Sequence, residues 1–304
     1  MQDFRHAIIN AGLTPPERVM PGEMIRFPGY QKPKNNKAAW CKLFLDCRGG
    51  VFGDFSTGLY HEWQQKRDKP YTKQEQEEFK RQVEHERKQR ELEQKEIHDK
   101  AKGLSIKILK EASIDYKKHP YYIAKHRLNF GIHVKSGQWE QRGWSNALLI
   151  PMYNENGEIS SIQAINEDGK KDYLKGGSKK GCYYPIGNLR GINTIMIGEG
   201  LSTVAAAHET TGLTGIVAFD SSNLINVAKF FRKLDKSLDI IILADNDVSD
   251  SGLNTGVKYA TEAAQAVNGS ISIPVLESSL KCDFWDLFNN YGRDTTKHQI
   301  IGYH

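Results

Sequence analysis

Short apolar runs alternate with amphipathic stretches in the C-terminal third of this chain. TIMIG (194–198) is an apolar, β-branched run that stops at Glu199-Gly200, and LSTVAAAHE then carries apolar residues at helical spacing. The unit recurs: GIVAF (215–219) leads into a helical stretch ending near Leu234, and DIIILA (239–244) leads through Asp245-Asn246-Asp247 to a helix from about Asn254 to Val267. SISIPVL (270–276) closes the series as a further strand. Strands alternating with helices imply right-handed crossovers and a parallel sheet, so the pattern predicts an α/β, Rossmann-like domain. Ligands bind such sheets at the carboxyl ends of the strands. A carboxylate stands just past three of them: Glu199, Asp220 and the pair Asp245/Asp247. Like charges gathered there repel by roughly 4 kcal/mol per close pair at an intermediate dielectric, so a cation is expected. Oxygen-only ligands with open positions favour Mg²⁺ or Mn²⁺ over zinc.

Upstream the pattern changes. LLIPMY and ISSIQAI are apolar runs joined by Asn-Glu-Asn-Gly, a turn signal. A second turn leads to Lys170, Lys171, Lys175, Lys179 and Lys180, interleaved with Gly176, Gly177 and Gly181. Glycines let a phosphate approach the backbone and lysines supply point charges, so Lys171, Lys175, Lys179 and Lys180 are candidates for contact with triphosphate or template; the plain alternative is a solvated face. Residues 66–100 are dense in Glu, Gln, Lys and Arg and read as a solvent-exposed helical tether, its apolar residues too sparse for a coiled-coil seam. From Ile97 the pattern tightens through Ala101, Leu104 and Ile108, where the helix is expected to pack on a core. Residues 38–63 hold an aromatic-rich strand pattern in which Trp40, Phe44, Phe52, Phe55 and Trp63 are either the core of a small sheet or, for one or two of them, stacking faces for single-stranded bases.

Charge divides the chain unevenly. Residues 191–304 hold 8 Lys+Arg against 13 Asp+Glu, and residues 1–190 hold 34 against 24, within a whole-chain net of +5. A basic half beside an acidic one points to a polyanionic partner and a metal. No apolar run approaches ~20 residues and no targeting segment opens the sequence, so no membrane partner is expected. The 4 cysteines are scattered, which suggests a reducing, cytoplasmic setting. Cys41 and Cys47 are spaced too widely for a zinc knuckle and no second pair follows, so no zinc is expected.

Simpler roles compete for several acids. Asp220 precedes Ser221-Ser222 and suits an N-cap. Asp250, in a Ser/Asp/Gly loop, reads as solvated. Asp283, opening DFWDL, is either a helix cap or a further metal ligand.

Taken together, IGEG (197–200), ADND (244–247) with GLNTG (252–256) behind it, and KCDFWDL (281–287) resemble the Toprim domain of bacterial-type DNA primases, topoisomerases and some nucleases. The segments HPYYIAKHRLNFGI (119–132) and 147–187 resemble the basic subdomain that precedes Toprim in primases of the plasmid and satellite-phage type, and 38–63 resembles their zinc-less N-terminal module. The resemblance implies four parts: a small β-rich template-binding domain (1–65), a charged helical linker (66–114), a mixed α+β basic subdomain (115–190) and a Toprim domain (191–304). It implies synthesis of RNA primers on single-stranded DNA from NTPs, with Asp245 and Asp247 holding metal, Glu199 a metal ligand or proton acceptor, and Asp283 near them. A replicative helicase is the expected protein partner; no P-loop occurs in the chain. Two rivals stand beside this: a Toprim nuclease using the same carboxylates, and a catalytically idle single-strand-binding module.

Overall fold

A computed structural model describes residues 2–67, 69–248, 254–277 and 281–302; Asp250, Gly252 and Leu253 lie outside the described residues. The chain forms two compact units, one reaching to Lys95 and the other starting at Glu96.

In the first unit, helix α1 (Gln2–Asn10) precedes four antiparallel strands in sequential order: β1 (Met24–Phe27), β2 (Ala39–Leu43), β3 (Gly49–Asp54) and β4 (Leu59–Gln64). Alternation along β2 decides its two faces. Ala39, Cys41 and Leu43 join Phe4 and Ile8 of α1 in one core, while Trp40 and the following Phe44 pack with Val51 on the other face. The second face is covered by Phe79 and Val83 from helix α2 (Lys73–Glu111). The tether is therefore not free of the small sheet, contrary to the expectation from its sparse apolar residues. Two of them one turn apart suffice, because they meet a preformed aromatic face, and Lys42 adds an ion pair to Glu86 at 2.7 Å. Of the five aromatic residues considered as stacking faces, Trp40, Phe44, Phe52 and Trp63 are buried and Phe55 is exposed. Cys41 lies inside the first core, where burial pushes its thiol up to about 12 and disfavours the thiolate that a zinc would need.

The second unit begins inside α2, so the division of the chain falls within one 39-residue helix rather than at either end of the expected linker. Ala101, Ser105 and Leu109 form the buried stripe, whereas Leu104 stays half exposed. The stripe packs on an antiparallel sheet made of β5 (Lys135–Trp139), β6 (Trp144–Tyr153), β7 (Ile159–Asn166) and β8 (Lys171–Tyr173). Between α2 and this sheet runs the short α3 (Pro120–Ala124), capped by His119.

The remaining strands form the expected mostly parallel sheet, in the order β14 (Ser270–Ser272), β12 (Asp239–Leu243), β10 (Thr194–Gly198), β11 (Thr214–Val217), β9 (Tyr184–Ile186). Edge strand β9 runs antiparallel to β11, so the sheet starts before residue 191. The pairing of β14 ends at Ser272, two residues short of Pro274, which has no N–H to donate. Helices α4 (Leu201–Thr211), α5 (Leu224–Leu234), α6 (Thr255–Val267) and α7 (Phe284–Ile301, interrupted at Gly292) complete the unit, with a two-stranded ribbon of β13 (Asn246–Asp247) and β15 (Lys281–Cys282). One hydrophobic core includes Phe130, Leu148 and Ile150 from the basic segment together with Met196, Val204 and Phe284, so the basic and acidic parts share an interior. No helix among the described residues is long and apolar enough to cross a membrane.

Candidate active site

Glu199 follows β10 and Asp245 follows β12, neighbours in register, because Gly198 pairs with Leu243. Asp245 is the more enclosed of the two. Its Oδ1 is sealed from solvent and finds no hydrogen-bond donor. Burial, reinforced by the charges of Asp283 and Glu199 and opposed by Lys171, pushes its carboxyl up to about 8. Glu199 is also raised, first by burial, then by Asp220 and Asp247 against Lys171 and Lys179. Asp247 lies on β13 and is exposed, and the structure couples its charge to both of the others.

Among the described residues no three His, Cys, Asp or Glu side chains close into a finished cation cage. The carboxylates line an edge instead. An unpartnered, enclosed carboxylate oxygen with further acids around it fits a hard divalent cation that keeps several ligand positions for water or phosphate.

The loop holding these acids is built by residues to which sequence reasoning gave no role. Asn246 donates to the Pro274 carbonyl at 2.9 Å and accepts from Asn254 at 2.7 Å, and Asn254 caps α6. Gly256, on the first turn of α6, lies so close that a Cβ there would stand 2.1 Å from the Asp245 carbonyl oxygen. A Gly256→Ala variant is expected to lose about 1–3 kcal/mol by overpacking as the Asp245 main chain is displaced; an unchanged melting temperature would refute this.

Asp220 and Asp283 have their oxygens engaged by the protein. Asp220 Oδ1 caps the turn at Ser221–Asn223 through the Ser222 N–H, and its Oδ2 takes the Lys179 ammonium at 3.2 Å. Asp283 is the N-cap of α7 in a reciprocal capping box with Asp286, and its Oδ2 accepts from Thr203 at 2.9 Å. The cap readings of both residues are met, and Asp283 acts on Asp245 through its charge.

Of the lysines, Lys171 and Lys179 reach the edge. A Cβ at Gly200 would stand 3.6 Å from Lys171 Nζ, and Lys179 lies over the Tyr173 ring at 4.5 Å. Lys175 and Lys180 are exposed. Strand alternation explains the placing of Lys171: it and Tyr173 leave β8 toward the site while Asp172 points the other way. The Tyr173 hydroxyl, kept neutral by burial that pushes it up to about 12, donates to the Phe219 carbonyl at 2.6 Å. Phe219 sits at φ 68, a left-handed conformation that a bulky residue holds only under constraint. On the far side of the edge, Lys125 lies 4.3 Å from the centre of the Trp285 ring and offsets the charges of Asp283 and Asp286.

A mostly parallel sheet with acids past its first and third parallel strands, Glu199 and Asp245 with Asp247, points to a class of domain: residues 194–294 match the Toprim domain family. The relatives it resembles are primases. The chain is 33% identical over 181 residues to the DNA primase TraC of Escherichia coli, a match covering 58% of this chain and 12% of that protein. A second Escherichia coli protein of that name is 34% identical over 132 residues, covering 41% and 12%. The chain thus spans about an eighth of the length of these relatives. Among solved structures, the DnaG primase catalytic domain bound to ssDNA is 12% identical with a TM-score of 0.45, covering 68% of this chain and 79% of that one. The Aquifex aeolicus primase (zinc binding and RNA polymerase domains) is 10% identical with a TM-score of 0.44, covering 98% and 84%.

Proposed function

We propose that this chain is the catalytic part of a DNA primase that joins NTPs into a short RNA primer on single-stranded DNA. The observation that carries the reading is the enclosed, unpartnered Asp245 Oδ1 beside Glu199 and Asp247, with Lys171 and Lys179 at the same edge. Asp245 and Asp247, with Glu199, would hold Mg²⁺ or Mn²⁺. Such an ion, when bound, supplies Lewis-acid stabilisation of the phosphoryl oxygens in in-line displacement. The chain's own part is to orient and to neutralise. Lys171 and Lys179 offset the negative charge of the triphosphate, and the raised carboxyl of Glu199 suits it to accept a proton from the attacking 3′-hydroxyl. Lys175 and Lys180, solvent-facing on the same hairpin, would meet the template or the outer phosphates. A nuclease would use the same acids; the basic segment sharing a core with the Toprim domain favours a template-directed reaction.

The small unit would read the template. Among its exposed rings, Phe55 and Tyr60 are backed by arginines, with Arg26 4.5 Å from the centre of Phe55 and Arg90 5.2 Å from that of Tyr60. Rings backed by guanidinium groups suit base stacking, worth about 1–3 kcal/mol per base. Phe55→Ala with Tyr60→Ala is accordingly expected to weaken single-strand affinity by roughly tenfold or more, while chemistry on a saturating template persists. Unchanged affinity in an anisotropy titration would remove the assignment.

The activity itself is tested by incubating the purified protein with single-stranded DNA, labelled NTPs and Mg²⁺ or Mn²⁺. Oligonucleotides formed de novo are the expected product; cleavage of the DNA would select the nuclease, and neither product the binding module. A replicative helicase and a cytoplasmic setting are proposed with the primase reading and stand on it alone.

A further inference from the structure

The lysine hairpin and the Toprim sheet are joined by one buried amide. Asn223 is 3% exposed, and its Nδ2 donates to the Ala218 carbonyl at 2.8 Å and to the Cys182 carbonyl at 3.0 Å. Its Oδ1 accepts the Gly181 N–H at 2.7 Å. Residues 179–182 form a tight turn closed by the Cys182 N–H on the Lys179 carbonyl at 3.0 Å, so Asn223 grips the far side of the turn that carries Lys179 and Lys180. Two further contacts fix the same junction: Tyr173 to the Phe219 carbonyl, and Lys179 to Asp220. Asn223 spends both amide hydrogens on main-chain carbonyls and its oxygen on the Gly181 N–H and, at 3.4 Å, on the Asn226 side-chain amide, leaving nothing for a ligand to use. Holding is what this side chain can do.

We infer that Asn223 is a positioning residue, which pins the 179–182 turn to the end of β11 and so presents the Lys179 ammonium to the phosphates of a nucleotide at the acidic edge. The inference rests on the reading of the hairpin as a phosphate contact. Removing the amide leaves two carbonyls and one N–H unpaired in a buried junction, and the turn moves to regain water. Displacements of about 1 Å at a positioning group cost up to roughly a hundredfold.

The probe is Mg·ATP, titrated calorimetrically into the full chain as wild type, Asn223→Ala, Lys179→Ala and the double variant, with circular dichroism and melting curves alongside. Asn223→Ala and Lys179→Ala are each expected to weaken binding by about tenfold, and the double variant to be no weaker than Lys179→Ala alone, because Asn223 acts through that lysine. In primer synthesis the loss falls on KM for the nucleotide, with kcat held within about threefold. Additive losses, wild-type affinity in Asn223→Ala, or a loss confined to kcat would each overturn the inference. Should Asn223→Ala fail to fold, Asn223→Ser, whose hydroxyl can replace one of the lost bonds, serves instead and should fall between wild type and Lys179→Ala; equality with wild type overturns the proposal. If the wild type binds no Mg·ATP, the inference falls, while the appearance of primers separately decides the primase reading.

Discussion

Asp245→Ala should reduce primer synthesis by at least about a thousandfold, since a metal-held phosphoryl transfer loses several kcal/mol with its central ligand, and should not destabilise the metal-free protein. Its Oδ1 is enclosed and lacks a donor, and the carboxyl faces Asp283, Glu199 and Asp247. Removing the group breaks no hydrogen bond at Oδ1 and, where the group is ionised, relieves repulsion. The same site makes stability depend on pH. The folded carboxyl titrates near 8, against about 3.9 in the unfolded chain, so between these values the folded state holds the extra proton. Its contribution is fully present below about pH 4, declines as pH rises and is lost once pH passes about 8. The melting temperature of the metal-free protein should therefore fall across that window, Asp245→Asn should flatten the fall, and Mn²⁺ should restore stability at the alkaline end. Near-normal synthesis by Asp245→Ala would end the metal assignment.

Asp172→Ala should cost roughly 3 kcal/mol, the largest stability loss we anticipate outside the apolar cores. Asp172 is buried and accepts from the indole N–H of Trp139 at 2.8 Å, from Gln141 at 2.7 Å and from Arg142 at 3.1 Å. Burial by itself would raise its carboxyl; the bonds from Arg142, Trp139 and Gln141 outweigh that and hold it below the usual range. A depressed carboxyl stabilises the fold at pH above its unfolded value and ceases to do so as pH falls through its folded one. The alanine variant leaves the buried Trp139 N–H unpaired, and Asp172→Asn, which keeps an acceptor, should lose less. Because Asp172 anchors the strand that carries Lys171 and Tyr173, the variant should also weaken nucleotide binding. A melting curve within about a degree of wild type, corresponding to well under 1 kcal/mol, would show that this network does not hold β8.

Much of this was legible in the residues. The strand positions at TIMIG, GIVAF and DIIILA, the helix from Asn254 and the acids past the first and third strands follow from local period and punctuation, which a short window contains in full. The N-cap role of Asp220 was readable for the same reason. The roles of Asn223, Asp172 and Asn246 were not, because each has partners 28 to 42 residues away, and no spacing in the chain announces a hydrogen bond made across a fold. Phe79 and Val83 looked too sparse to bury, since the face they meet, Trp40, Phe44 and Val51, is complete only when β2 pairs with β3. The sequence by itself determined the mostly parallel sheet and the placing of acids past its strands, as patterns of hydrophobicity and charge that any folded form must satisfy. Tertiary structure alone decided which oxygens stay unpartnered, which lysines reach the edge and how the basic hairpin is held there, because those depend on distances between segments that are remote along the chain.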